Sequence, residues 1–352
     1  MTGPNRWGWG PKGIRPGFPI DFQVDPRDPD RIFVNNYGGG NFLSEDGGKS
    51  WKHMGLAQTR HIARIRCHPT NPDVVLVAAL GNAFASHPDR GIYKTTDGGR
   101  RWKKVLHVND STGAADLTYD PSNPRIVFAS TWNMRRNAHS MSSGGPGSGL
   151  WRSTDGGDSW VSINDHPGRP KGIWGICGVA VSPSNNDIVY ALIENEQGGL
   201  FRSDDAGKTW RLVNGDRSLR QRAWYFSRLC IHPSNPEELY VLNVSLHRST
   251  DGGKRFASIG TRHADNHDMW IHPDQPSIMA VSNDRGGQIT LDGGKSWSPV
   301  DNQPTAQFYR VTTDHHEPFR IYAAQQDNST IRIAHRTSGH QIGMQDGEPT
   351  AG

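Results

Sequence analysis

Cysteine is nearly absent from this chain of 352 residues: Cys67, Cys177 and Cys230 are the only three, widely spaced, each inside an apolar run. Three scattered thiols make neither a disulfide framework nor a zinc knuckle, and they are expected to be small buried core residues. Long hydrophobic runs are lacking too. No stretch approaches the roughly 20 apolar residues that a bilayer span needs, and Met1-Thr2-Gly3-Pro4 opens no secretory h-region. Neither sign of charge dominates: 39 Lys and Arg stand against 35 Asp and Glu, a net of +4, interspersed with no long run of either sign. Binding to nucleic acid or to an anionic membrane is therefore not implied. Hydrophobic residues reach only 34%, which argues against packed helices.

The chain is rich instead in turn formers and in tryptophan, with 41 Gly, 23 Pro and 12 Trp, the signature of short strands joined by many turns. It is also internally repetitive. Ser44-Glu45-Asp46-Gly47-Gly48-Lys49-Ser50-Trp51 recurs in six copies, whose aspartates are Asp46, Asp97, Asp155, Asp205, Asp251 and Asp292, at spacings of 51, 58, 50, 46 and 41 residues. That pitch suits one four-stranded propeller blade per repeat plus insertions. A second punctuation mark precedes each copy: Asp25-Pro26, His68-Pro69, Asp120-Pro121, Ser182-Pro183, His232-Pro233 and His272-Pro273. Two marks per repeat mean two different turns. The glycines of the first supply positive φ, and its Ser/Thr and Asp can bond the turn's own backbone.

The Ser/Thr-x-Asp-x-Gly-x-x-Trp pattern resembles the Asp-box, or bacterial neuraminidase (BNR) repeat, and the whole chain is similar to Asp-box propellers of the bacterial sortilin-type and BNR glycosyl hydrolase-like kind. The expected fold is all-β: a seven-bladed β-propeller of four-stranded antiparallel blades with six Asp-box hairpins, one domain over residues 1–352. AQFYRVTTD, FRIYAAQ and STIRIAH in residues 306–335 supply a seventh blade without an Asp-box. Its outer strand is expected from NRWGWG within residues 1–20, closing the ring, and residues 336–352 are expected to be a tail. The relatives continue into a second propeller, which makes such a domain an expected partner outside this chain. The resemblance also implies that the Asp-box is a structural hairpin remote from the active face.

Loops entering the inner strands, and loops joining second and third strands, open on one face around the channel, the usual setting for a ligand site. They place Arg64, Asp116, Trp174, Arg222, Trp224, Tyr225, His267 and Asp268 at the channel mouth, joined by Arg135, Glu194, Asp284, Arg285 and Asp327 from the second loop type. The stretch RHADNHDMW, residues 262–270, concentrates this chemistry. Extended, it would turn His263, Asp265 and His267 to one side as cation ligands, or Asn266 and Asp268 to the other beside Asp284 or Asp327 as an acid/base pair. It can equally be a polar strand entrance bonding its own backbone. The spacing matches no metal signature, and no metal or other cofactor is expected.

Sialidases of related fold use an Arg-Ile-Pro motif that Gly13-Ile14-Arg15-Pro16 does not reproduce. Double-propeller xyloglucanases place one catalytic aspartate in each propeller, an arrangement of which one propeller holds half. The resemblance thus implies a carbohydrate-active propeller, a glycoside hydrolase with Asp268 and Asp284 as acid/base residues and Asp327 and Glu194 in reserve. Arg64, Arg135, Trp174, Arg222, Trp224, Tyr225, His267 and Arg285 would hold the sugar. The alternative is a sortilin-like propeller that binds a ligand or protein without chemistry. Either reading places the protein outside the cell or in the periplasm, with no membrane span.

Overall fold

The computed structural model describes residues 19–25, 27–36, 38–300, 308–326, 329–339, 342 and 346–351. Short strands punctuated by glycine and proline turns give seven antiparallel sheets, over residues 19–53, 62–106, 112–162, 177–214, 228–259, 266–290 and 308–351. Each is a meander in sequence order, with four strands except in the sixth, where three are described, and the third, which carries a fifth. Among the described residues, helix is confined to short 3-10 turns such as Ala57–Thr59 and Arg217–Arg220.

The first six sheets stack face to face in chain order, and each interface is an apolar core. Phe33 and Leu43 of the first sheet meet Ile65, Val77 and Tyr93 of the second, and Leu76 and Ile92 of the second meet Leu117 and Val127 of the third. Phe128 and Leu150 then pack on Val179 and Phe201, Tyr190 and Leu200 on Ile231 and Val241, and Tyr240 and Leu246 on Met279 and Val281. Strands buried on both faces explain the short uninterrupted apolar runs, VLVAA and VYALI among them.

Both punctuation marks are closed by their own side chains. In the fourth sheet's Asp-box, the Ser203 hydroxyl accepts from Gly207 N–H at 2.8 Å and donates to Asp205 Oδ1 at 2.7 Å. The other Asp205 oxygen accepts from Thr209 Oγ1 at 2.7 Å. Burial opposes ionisation there, but the hydrogen bonds from Thr209, Ser203 and Lys208 together outweigh it and hold Asp205 down to about 2. The inner turns use Asp, His or Ser as acceptors. Asp120 Oδ1 accepts from Ser122 and Asn123 N–H at 2.8 and 3.0 Å, and His68 Nδ1 accepts from Thr70 and Asn71 N–H at 3.2 Å.

Three local expectations are corrected, and a fourth is not tested. The fourth strand of the seventh sheet is Gly347–Ala351, drawn from the residues expected to be a tail, and it pairs with Thr330–Ala334. The segment NRWGWG lies outside the described residues. Arg135, expected in an open loop, lies on a strand: Val127–Arg136 runs on and pairs with Met141–Ser143. RHADNHDMW is not extended throughout, because Asp265 has φ 60° and a bulge separates Asn266 from Asp268. An extra residue in one strand shifts the alternation of faces, so residues on either side no longer share a side as spacing predicts.

Replacing Ser203 by Ala leaves Gly207 N–H buried without its acceptor. Urea unfolding is expected to show a loss of about 1–3 kcal/mol for Ser203→Ala. The histidines set a pH dependence. Burial holds His61, His68 and His247 below the usual imidazole value of 6.5, so the unfolded chain binds protons more readily than the folded one. Their contribution is complete above pH 6.5 and declines as pH falls below it. The urea midpoint is therefore expected to be lower at pH 5.5 than at pH 7.5.

Candidate functional site

Each inner strand is a sheet edge, with N–H groups facing the axis and no further strand to bond them. Four residues before each inner turn lies one position on that edge: Asp21, Arg64, Asp116, Gly178, Arg228, Asp268 and Arg310, each aligned with the second strand in the same register. Side chains from five sheets meet there. Arg64 donates through Nε to Asp116 Oδ1 at 3.0 Å, places Nη1 3.6 Å from Asp21 Oδ1, and forks onto both oxygens of Asp268. Arg228 Nη1 reaches Asp116 Oδ1 at 2.7 Å, and Arg66 Nη1 reaches Asp21 Oδ2 at 3.1 Å.

The contact between Arg64 and Asp268 spans from the second sheet to the sixth, so the stack curves around a common axis. Burial disfavours the Arg64 charge, but the carboxylates of Asp268, Asp21 and Asp116 outweigh it and hold the guanidinium well above its usual range. Burial likewise pushes Asp268 up, and Arg64 and Arg228 overcome it and hold the carboxyl well below the usual range. The Asp268 side chain still keeps 44% of its surface accessible.

Off the axis, the loop before the fifth sheet forms a wall with two lined sides. On one side a cleft of about 750 Å³ is bounded by Glu194, Asn195, Glu196, Arg217, Arg220 and Trp224, among others. Arg220 Nη1 donates to Asn195 O at 3.0 Å, tying the wall to the fourth sheet. Glu194 is already engaged: its Oε2 accepts from Ser143 Oγ at 2.6 Å and Ile176 N–H at 2.9 Å. On the other side, Trp224, Tyr225, Phe226 and His267 form a chain of rings with successive centroids 6.3, 5.9 and 4.9 Å apart. His267 Nε2 bonds Asp284 Oδ1, and Arg222 Nη1 bonds Asp265 Oδ2 at 3.1 Å. Trp224 and Tyr225 are exposed.

Many residues singled out in sequence therefore converge. Trp224, Tyr225, His267 and Asp284 form one contact chain, and Glu194 meets Trp224 across the cleft. Arg64 and Asp268 meet each other at the axis, Arg64 buried. Trp174 is buried, its Nε1 donating to Pro170 O at 2.9 Å, and serves the core between the third and fourth sheets. Arg135 is exposed on the extended hairpin opposite Ser142. Arg285 N–H donates to Asn283 Oδ1 at 3.1 Å in the turn after the second strand of the sixth sheet. Asp327 lies outside the described residues. The expected neighbour of Asp284 was Asp268, but the bulge gives that place to His267. No cluster of three or more His, Cys, Asp or Glu suited to a metal is found among the described residues. Sequence reading missed Asp21, Arg66 and Arg228, although their place before the inner turn was a usable signal.

Stacked four-stranded sheets, Asp-box hairpins and a polar face around an axis define a propeller-type protein of the Asp-box class. The profile of the Sortilin-Vps10 family, described as sortilin, neurotensin receptor 3, matches residues 11–143. A probable oligoxyloglucan-reducing end-specific xyloglucanase of Neosartorya fischeri is 27% identical over 142 residues, 40% of this chain and 16% of the relative. An ancestral GH74 enzyme superposes with a TM-score of 0.61 at 15% identity, over 92% of this chain and 46% of its own. YCF48 bound to D1 peptide superposes with a TM-score of 0.52 at 13% identity, over 96% of this chain and 98% of its own. The chain thus spans 16% of the Neosartorya fischeri relative and less than half of the ancestral GH74 enzyme, and the structural likenesses establish the fold.

Removing Arg64 leaves buried carboxylates without their shared partner. Arg64→Ala is expected to cost about 3–5 kcal/mol in urea unfolding. The double variant Arg64→Ala/Asp268→Ala should recover part of that loss.

Proposed function

We propose that the seven sheets are the blades of one seven-bladed propeller, and that the face bearing the wall loop binds carbohydrate outside the cell or in the periplasm. The observation that carries this reading is the exposed Trp224 at the lip of a polar cleft, continued by Tyr225 toward His267 and Asp284. A pyranose ring offers an apolar C–H face and a belt of hydroxyls. An aromatic side chain takes the first, while carboxylates, arginines and an amide take the second. Glu196, Arg217 and Asn195 stand where hydroxyls would lie, and the sequence similarity to a xyloglucanase supports the same ligand class.

That similarity also favours a second reading, in which the bound sugar is cleaved. Hydrolysis needs one carboxyl kept protonated to donate to the leaving oxygen. Asp268, held ionised by Arg64 at the axis, is unsuited to that part. The donor would then be Asp284 or Asp327, with Glu194 fixing the cleft wall.

Titration calorimetry with neutral and acidic oligosaccharides is expected to show binding, weakened roughly tenfold by Trp224→Ala, about 1.4 kcal/mol. No heat from any sugar would sink the binding reading. Mass spectrometry of the same panel after incubation decides the second: shorter products lost in Asp284→Asn mark a hydrolase, and an unchanged panel leaves a binding propeller.

A further inference from the structure

In each of the first five sheets, the row two residues after the axial position packs on the following sheet. Its central residue is buried every time: Phe33, Leu76, Phe128, Tyr190 and Tyr240. The corresponding row of the sixth sheet is Trp270, Ala280 and Ile289, and here the pattern breaks. Trp270 is 52% exposed and Ile289 54%. The seventh sheet carries a complementary row, exposed at Val311 and half-buried at Ile331 although its central Ala323 is buried. Its row one residue after the axial position, Val311, Ala323 and Ile331, corresponds to the rows Ile65, Val77, Tyr93 and Val179, Ala191, Phe201 that receive the preceding sheet. Val311 is 63% exposed.

The axial aspartates carry a second, independent pattern. Asp21 of the first sheet accepts from Ile65 N–H of the second at 2.9 Å, and Asp116 of the third accepts from Val179 N–H of the fourth at 3.1 Å. In both cases the donor lies one residue past the axial position of the following sheet. In both cases the carboxylate also faces Arg64. Asp268 is the third such aspartate. It faces Arg64, and one oxygen accepts from its own Met269 N–H at 3.0 Å, as Asp116 does from Leu117 at 2.9 Å. The matching donor in the following sheet is Val311 N–H.

Resting on the seven-bladed reading, we propose that Asp268 is a latch. It caps Val311 N–H as the Val311–Ala323–Ile331 row covers Trp270 and Ile289, and Arg310 enters the axial ring between Asp268 and Asp21. The seventh sheet, residues 308–351, is thereby the occupant of the open face of the sixth. Charge supports this occupant: Arg310 brings a cation to a site bordered by two aspartates. The axial sequence then reads Asp, Arg, Asp, Gly, Arg, Asp, Arg, with as many carboxylates as guanidiniums.

Two measurements on the full chain test it. Thiol labelling of Ile289→Cys is expected to be at least about tenfold slower in native buffer than in urea, independent of protein concentration, as a covered position requires. The native cysteines serve as a slow background, since burial pushes Cys67 and Cys230 up to about 12. Protection that grows with concentration would assign the face to a second copy, and free labelling would leave it uncovered. Either result overturns the proposal. Residue-resolved hydrogen exchange then reads the latch. Val311 N–H should be protected in the wild type, lose that protection in Asp268→Ala and regain much of it in Asp268→Asn, whose side-chain oxygen still accepts. A covered Ile289→Cys with Val311 exchange unchanged in Asp268→Ala would keep the seven-bladed ring and overturn the latch.

Discussion

Uncapped sheet edges are the constraint on which this structure depends. Stacking sheets around an axis buries their broad faces well, yet it gathers every inner strand's unpaired N–H groups at one place. Two of those edges are capped by carboxylates from the preceding sheet, Asp21 on Ile65 and Asp116 on Val179. Carboxylates crowded at a hub repel, and Arg64, Arg66 and Arg228 offset that repulsion. Such a buried network is costly to break at one member, because the partner left behind keeps its desolvation penalty. The fourth sheet solves the same crowding by deletion: a Cβ on Gly178 would stand 2.0 Å from Ser227 O, so the inner strands of the fourth and fifth sheets approach as only glycine allows.

The hub also fixes what the outer face can do. With the inner strands held, the wall loop runs into a fixed strand, Arg228–Ile231. It is pinned by Leu219 in the core beneath it and by Arg220 on Asn195. Its aromatic residues can then remain exposed without collapsing. Asp268 illustrates the division of labour. Its position looked like the most chemical in the chain, yet its contacts make it part of the frame, while His267 one residue earlier turns outward to Asp284.

How far this was legible in the sequence follows from how local each interaction is. The Asp-boxes could be read outright, because each closes within its own few residues, as Ser203, Asp205, Gly207 and Thr209 do. The inner turns, the four-strand meander and the apolar runs were legible for the same reason. The bulge in Asn266–Ile271 and the positive φ of Asp265 were not, since neither residue type demands them, and they decide which side chains share a side. The last strand escaped notice because Gly347, Pro349 and its short length argue against a strand, although proline is tolerated at a sheet edge. The axial ion pairs were hidden by distance, for Arg64 and Asp268 are 204 residues apart.

The contrast between rim and hub has a consequence for how copies of this repeat are told apart. The hairpins at the rim close on one plan, each Ser/Thr hydroxyl and Asp carboxylate bonding its own turn. The axial position mostly changes sign from one sheet to the next, from Asp21 to Arg64 to Asp116 and from Arg228 to Asp268. It therefore works as an address. A repeat inserted out of order, or borrowed from another molecule during folding, would bring like charges together at the centre, so the hub enforces an order that the uniform rim cannot.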